Sequence, residues 1–302
     1  MFRYFYRANF LNAFFCVIIS FSSVATLSAS NLETHPKEIT IGLNPGGDPE
    51  NLKKQGIDLA EVLQKELNLP VNIYIAKNYA GLSDAMKSKK VDFAFLSSMT
   101  FVLAEKEAGA KVLLKKVYQG PFYYSVVLVR KDSKYKKIED LKGQRLTFVD
   151  SNSVSGYLQP ESLIRQKHLS DKDFKEIKYS GNHSKSVAML EDKETDAIAT
   201  FSDDASGKTG SWTKFAKKSS AFRVLWVSEP IPNDPFCVRQ DFYSDYPKLT
   251  HTLMFALIDI LGNYKKSGRF SEVLGAQDLM PATSRQYDPV REMVKNLEVE
   301  KK

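Results

Sequence analysis

Leu146–Gln159 reads LTFVDSNSVSGYLQ: a β-rich run, LTFV, breaks into a polar string, and helix signals begin near Tyr157. The string places Ser151, Asn152, Ser153 and Ser155 together at a strand end. Two meanings are open. One is a polar turn with a helix cap; the other is a cradle of hydroxyl and backbone N–H donors for an anion, because a helix N-terminus offers unpaired N–H groups and a positive dipole end. The residues that follow decide the fold. A helix near Tyr157–Gln166, a short strand in KEIKYSG, a helix over Lys185–Glu191 and the strand TDAIATF form an α/β unit of their own.

Upstream, the same alternation has already run once. EITIGL is closed by the turn NPGGDPE, and Ile57–Leu67 carries apolar residues at helical spacing. VNIYIA, a helix over Gly81–Lys87 and VDFAFL continue it, so strand, helix, strand, helix, strand predicts a parallel sheet. A helix over Phe101–Ala108 and β runs at Lys111–Tyr118 and Tyr123–Val129 come next, and the turn-rich KDSKYKKIEDLKGQ suggests a boundary at about Lys131. Helices at Lys248–Lys265, near Ser271–Leu274 and at Val290–Leu297 have no sheet of their own and are expected to pack on the first unit. The expectation is an α/β fold of two lobes, 31–130 with 235–302 and 131–234, joined by two hinge crossovers near Lys131 and Glu229–Asp234. A ligand cleft then lies where strand ends face each other.

Residues 1–30 have Arg3 and Arg7 before an apolar run of about a dozen residues and then small residues, the layout of a secretory signal peptide cleaved near Ala29 or Ser30. The run is short of the roughly 20 residues that span a bilayer. Cleavage leaves Cys237 as the one cysteine, so no internal disulfide forms in the exported chain, expected in the periplasm or otherwise outside the cell. The formal net charge falls from +7 to +5 as Arg3 and Arg7 leave, and the remaining basic residues are interspersed with acidic ones. That argues against a nucleic-acid partner, while mild basicity suits collection of small anions.

Four strand-end loops carry candidate chemistry: Ser97, Ser98, Thr100 and Phe101; the opening string; His183 in YSGNHSKS; and Asp203 and Asp204 in TFSDDASGKTGSW. Each alone is a common cap or turn, but in open α/β sheets ligands bind outside the carboxyl ends of the strands. The Gly-Lys-Thr at Gly207–Thr209 is not a phosphate loop, because the first glycine of that motif falls on Ser202. The four histidines lack metal-ligand spacing, and no cofactor is implied. Cys237, in the apolar PFCVR, reads as a core thiol.

With these residues in view, the chain resembles the substrate-binding proteins of phosphate, phosphite and phosphonate ABC transporters over nearly all of its mature length. The resemblance lies in NYAGLSDAMKSKKVDFAFLSSMTFVLAEKEAG, VDSNSVSGYLQP, GNHSKSVAML and IPNDPFCVR. It implies a type II periplasmic binding fold that closes over an oxyanion or organophosphonate, delivers it to a membrane permease and performs no catalysis. It also implies ligand-contacting roles for Tyr79, Ser153, Ser155, His183 and Asp203 (with Asp204 possible by a one-residue slip), and for Asp234 at the hinge. Two positions depart from the family's pattern. Val154 stands where it usually has threonine, and Phe101, after Ser97-Ser98, where it usually has a second pocket tyrosine after a Gly-Pro. Either Ser97, Ser98 or Thr100 replaces the lost donors, or the ligand differs. The competing expectations are a sensory or scavenging protein for another small anion, and a periplasmic enzyme using Cys237 or the Asp203/Asp204 pair.

Overall fold

The computed structural model describes residues 35–44, 49–264 and 268–300; the signal-peptide reading of 1–30 lies outside them. β1 (Ile39–Leu43), α1 (Pro49–Leu67), β2 (Val71–Ile75), α2 (Tyr79–Lys87), β3 (Phe93–Phe95), α3 (Ser98–Ala108) and β4 (Ala110–Val117) begin the chain, and β5 (Phe122–Arg130) follows. β6 (Arg145–Phe148), α4 (Gln159–Gln166), β7 (Glu176–Tyr179), α5 (His183–Glu191), β8 (Ala197–Ser202), α6 (Ser211–Phe215), β9 (Phe222–Val227) and β10 (Ile231–Pro232) continue it. The last part holds β11 (Pro235–Arg239), α7 (Gln240–Asp245), α8 (Pro247–Asn263), α9 (Ser271–Leu274), β12 (Asp278–Pro281) and α10 (Asp288–Glu300).

Two sheets result. The first has the order β12-β4-β11-β3-β1-β2, parallel across β3-β1-β2 and antiparallel elsewhere. The second has the order β10-β5-β8-β6-β7 with β9 also on β5. β5 therefore belongs to the second sheet, antiparallel to β8 and β9. The chain leaves the first sheet between Val117 and Phe122, earlier than the crossing expected at Lys131, and returns through Asn233 and Asp234. The two crossings touch: Asn233 Nδ2 donates to the Gly120 carbonyl at 2.8 Å, and Lys116 N–H to the Asp234 carbonyl at 3.0 Å.

Alternation along the strands sends side chains to both faces of each sheet. On the first, Ile39, Ile41, Phe93, Phe95 and Phe236 pack with Leu59 and Leu63 of α1 and Leu253 and Leu257 of α8, while Ala94 and Cys237 face Leu82, Met86 and Phe101. On the second, Val127 and Val129 join the cluster of Leu146, Phe148 and Leu163, and Val126 and Leu128 join Val187, Leu190 and Trp212. α7, α8 and α9 pack on the first sheet as expected, and β12 adds to its edge; α10 departs from the expectation, because its Val290 packs with Val154, Leu158 and Ile231 of the second half.

The two halves repeat one local design. Asn78 caps α2 by accepting Gly81 N–H, and Asn182 caps α5 by accepting Lys185 N–H, both at 2.8 Å. At the same distance further along the chain, Asp92 and Asp196 each accept a backbone N–H of the neighbouring strand, from Thr40 and Arg145. Each also pairs with an arginine, Arg239 at 2.8 Å and Arg145 at 2.9 Å. This equivalence puts Tyr79 and His183 at the same first helical position, one in each half.

Candidate functional site

Tyr79 and His183 both line a cavity of about 510 Å³ whose walls come from both sheets. Ser97, Ser153, Ser155, Asp203 and Asp234 share it, and so do Lys116, Tyr118, Tyr123 and Lys214, which sequence reasoning missed. The signal for Tyr123 was present, because it follows Gly120-Pro121. A tyrosine after a Gly-Pro thus stands on the cavity wall at position 123, while Phe101 does not line it. Nothing in the linear pattern marks Lys116 or Lys214 apart from surface lysines.

The opening string is a helix cap that also borders the cavity. Ser153 accepts Gly156 N–H at 3.0 Å and so caps a π-helical turn over Val154–Leu158, while Ser153 and Ser155 lie on the cavity wall. Ser125 donates its hydroxyl to the Ser155 carbonyl at 2.6 Å and fixes the loop on the second sheet. Ser97 donates to the Asn152 carbonyl at 3.1 Å, a hydrogen bond between the strand-end loops of the two halves.

Ser98, Thr100, Phe101 and Val154 are not on the cavity wall. Ser98 Oγ donates to the Pro232 carbonyl at 2.7 Å, and Thr100 Oγ1 bonds Ser97 Oγ at 2.8 Å. The Phe101 ring meets Tyr287 edge-on at 4.9 Å, and Val154 packs with Leu158, Ile231 and Val290. Helical phase is the reason for Ser98 and Val154, each one step from a lining residue and so turned into the core. Asp203, at the end of β8, lines the cavity. Asp204 instead folds into its own loop, taking Thr209 N–H at 2.8 Å and Ser206 N–H at 2.9 Å. Burial works against its charge, but those bonds with the Ser206 and Thr209 hydroxyls outweigh it and hold the carboxyl far below the ordinary range.

The site holds neutral donors beside paired charges. Burial, with the Asp234 charge second, raises both Tyr79 and Tyr123, so each keeps its hydroxyl proton. Burial also raises Asp234, against the opposing pull of Lys116, whose Nζ lies 3.8 Å away, and of Ser98 N–H. Thr200 donates its only hydroxyl proton to Ser211 at 2.7 Å, so the 2.9 Å contact from His183 Nδ1 is a donation to Thr200 and Nε2 remains as the ring's acceptor. Burial, and then Lys214, pull His183 down from 6.5 to about 3.

A pH dependence follows. The unfolded chain takes up the His183 proton first as the pH falls, so the unliganded fold loses stability from near pH 6.5 down towards pH 3, with a limiting slope of about 1.4 kcal/mol per pH unit. In urea denaturation, the wild type is expected to lose roughly 1 kcal/mol more than His183→Asn between about pH 6 and about pH 5. Equal losses would show that His183 is not held neutral.

A family model described as "ABC transporter, phosphonate, periplasmic substrate-binding protein" matches residues 41–287. The chain belongs to this family. The binding protein is 29% identical over 283 residues to the phosphonates-binding periplasmic protein of Escherichia coli (strain K12), covering 90% of this chain and 80% of the relative. It is 22% identical over 289 residues to a probable ABC transporter phosphite binding protein of Prochlorococcus marinus (strain MIT 9301), covering 93% and 96%. The solved structure of PhnD1 from that organism, in complex with methylphosphonate, superposes with a TM-score of 0.76 at 21% identity, covering 87% of this chain and 99% of that one. The fold is thus that of the type II periplasmic binding proteins, and the family places the binding protein in the periplasm, serving an ABC transporter. No helix among the described residues is long and apolar enough to cross a membrane.

Proposed function

We propose that the binding protein captures a small phosphonate, with phosphite and phosphate as the related oxyanions, in the cavity between its two sheets. The halves built on those sheets act as lobes that close over the ligand, with the chain crossing at Tyr118–Pro121 and Asn233–Asp234. The single observation that carries the reading is the convergence of Tyr79, Tyr123, Ser153, Ser155 and His183 on one cavity from four separate elements. These are short, neutral hydrogen-bonding groups that suit a tetrahedral oxyanion, and the two lysines nearby offset its charge. Closure needs only that the donors of both halves reach the ligand together, since a ligand favours the state in which it makes more contacts.

No chemical step is part of this function. Cys237 is fully buried in the first sheet and absent from the cavity wall, and burial, with Glu105 and Asp234 behind it, pushes its thiol far up. Such a thiol is a poor nucleophile. Asp203 and Asp204 face different surroundings and do not act as a pair.

Calorimetric titration with methylphosphonate, phosphite, phosphate and methanesulfonate tests the reading. A phosphorus oxyanion should bind with one-to-one stoichiometry. Preference for the sulfonate over all three would overturn the ligand class. Tyr123→Phe is expected to weaken methylphosphonate binding about tenfold, the loss of one hydrogen bond to a charged group, while Phe101→Leu leaves it within about twofold. The reverse pattern would return the second tyrosine's role to position 101.

A further inference from the structure

Asp203 and the rings of Tyr118 and Phe201 form three sides of an enclosure on the cavity wall. A buried carboxylate with aromatic faces around it recognises an ammonium group by charge and by the ring quadrupoles. Here the enclosure is already filled. Lys214, from α6, lies with its Nζ 2.9 Å from Asp203 Oδ1, 3.8 Å from the Tyr118 ring centre and 4.9 Å from that of Phe201. The other carboxylate on the wall, Asp234, faces the ammonium of Lys116. Both carboxylates on the wall among the described residues therefore have a cation supplied by the protein itself.

A ligand carrying its own ammonium finds no free carboxylate among the described residues and meets two like charges. Asp203 Oδ2 does remain buried without a hydrogen-bond partner among the described residues. A neutral O–H of a ligand fits that acceptor, whereas a second ammonium there would share one carboxylate with Lys214. We infer that Lys214 is a specificity-determining residue: by occupying the carboxylate-aromatic enclosure with its own ammonium, it directs the cavity to phosphonates with uncharged or hydroxyl-bearing substituents and against aminoalkylphosphonates. The inference rests on the phosphonate reading above and adds the substrate class to it.

The test compares two ligands of matched length, ethylphosphonate and 2-aminoethylphosphonate, by calorimetry on the exported chain and its variants. Wild type should bind ethylphosphonate at least about tenfold more tightly, Lys214→Met should shift the ratio towards the amine by about tenfold or more, and Lys214→Arg should keep the wild-type preference. Thermal melts confirm that each variant is folded, and Lys214→Ala serves if the methionine variant is not. Equal or tighter binding of the amine by wild type, or an unchanged ratio in the folded methionine or alanine variant, would overturn the inference while leaving the phosphonate reading intact. Failure of every form to bind either ligand would overturn that reading and the inference together.

Discussion

A chain carrying Ser155→Ala together with His183→Ala is expected to bind methylphosphonate about 100-fold more weakly than wild type, a loss near 2.7 kcal/mol, with each single change contributing about tenfold. The two groups enter the cavity from unrelated places, Ser155 from the turn after β6 and His183 from the first position of α5. Neither is the support of its own element. The Ser155 loop is held through its carbonyl by Ser125, and α5 is capped by Asn182. Thr200 still has Ser211 when the imidazole is removed. The loss should therefore appear in affinity at nearly unchanged thermal stability. Affinity within about threefold of wild type in the double variant would remove the cradle from the account.

Gly156→Ala is expected to cost about 2–3 kcal/mol of stability and to weaken binding as well. A Cβ at this position would lie 2.5 Å from Val149 Cβ and 2.9 Å from Ser153 Oγ. Val149 cannot swing away, because the nearest atom is attached directly to a backbone whose N–H donates to the Gly156 carbonyl at 3.0 Å. Relief must come from moving the turn, and that carries Ser153 and Ser155 off the cavity wall. Urea denaturation beside calorimetry reads both effects. A variant as stable as wild type, with unchanged affinity, would show that the turn relaxes without cost and that the serines do not depend on it.

The parts of this molecule legible in its sequence are those where burial writes a period. β1, β2 and β3 with their helices appear as apolar runs and helical spacings, and the serine string announces a strand end. What a strand joins is not written in its composition. The runs ending at Val117 and beginning at Phe122 are equally β-rich, yet pairing to β11 in one case and to β8 in the other puts them in different sheets. β12 is hard to see, since Asp278–Pro281 is short, lies on a sheet edge and ends in proline. The site shows the same division. Tyr79, His183, Ser153 and Ser155 stand at element starts, where chemistry and sequence position coincide. Ser98 and Val154 are each one residue from a lining position, and only the phase of the helical turn turns them inward. Lys116 and Lys214 acquire meaning solely from Asp234 and Asp203, remote from them in sequence or in loop geometry.

The central claim, that one cavity between the two sheets grips a phosphonate through neutral donors of both halves, is tested most directly by a crystal structure of the exported chain with methylphosphonate. The phosphorus should lie inside the cavity, with its oxygens about 2.6–3.2 Å from the hydroxyls of Tyr79 in the first half and Tyr123 and Ser155 in the second, and with a protonated phosphonate oxygen donating to the His183 ring nitrogen that faces away from Thr200. A ligand bound elsewhere, or held only by Lys116 and Lys214 with these four groups untouched, would contradict it.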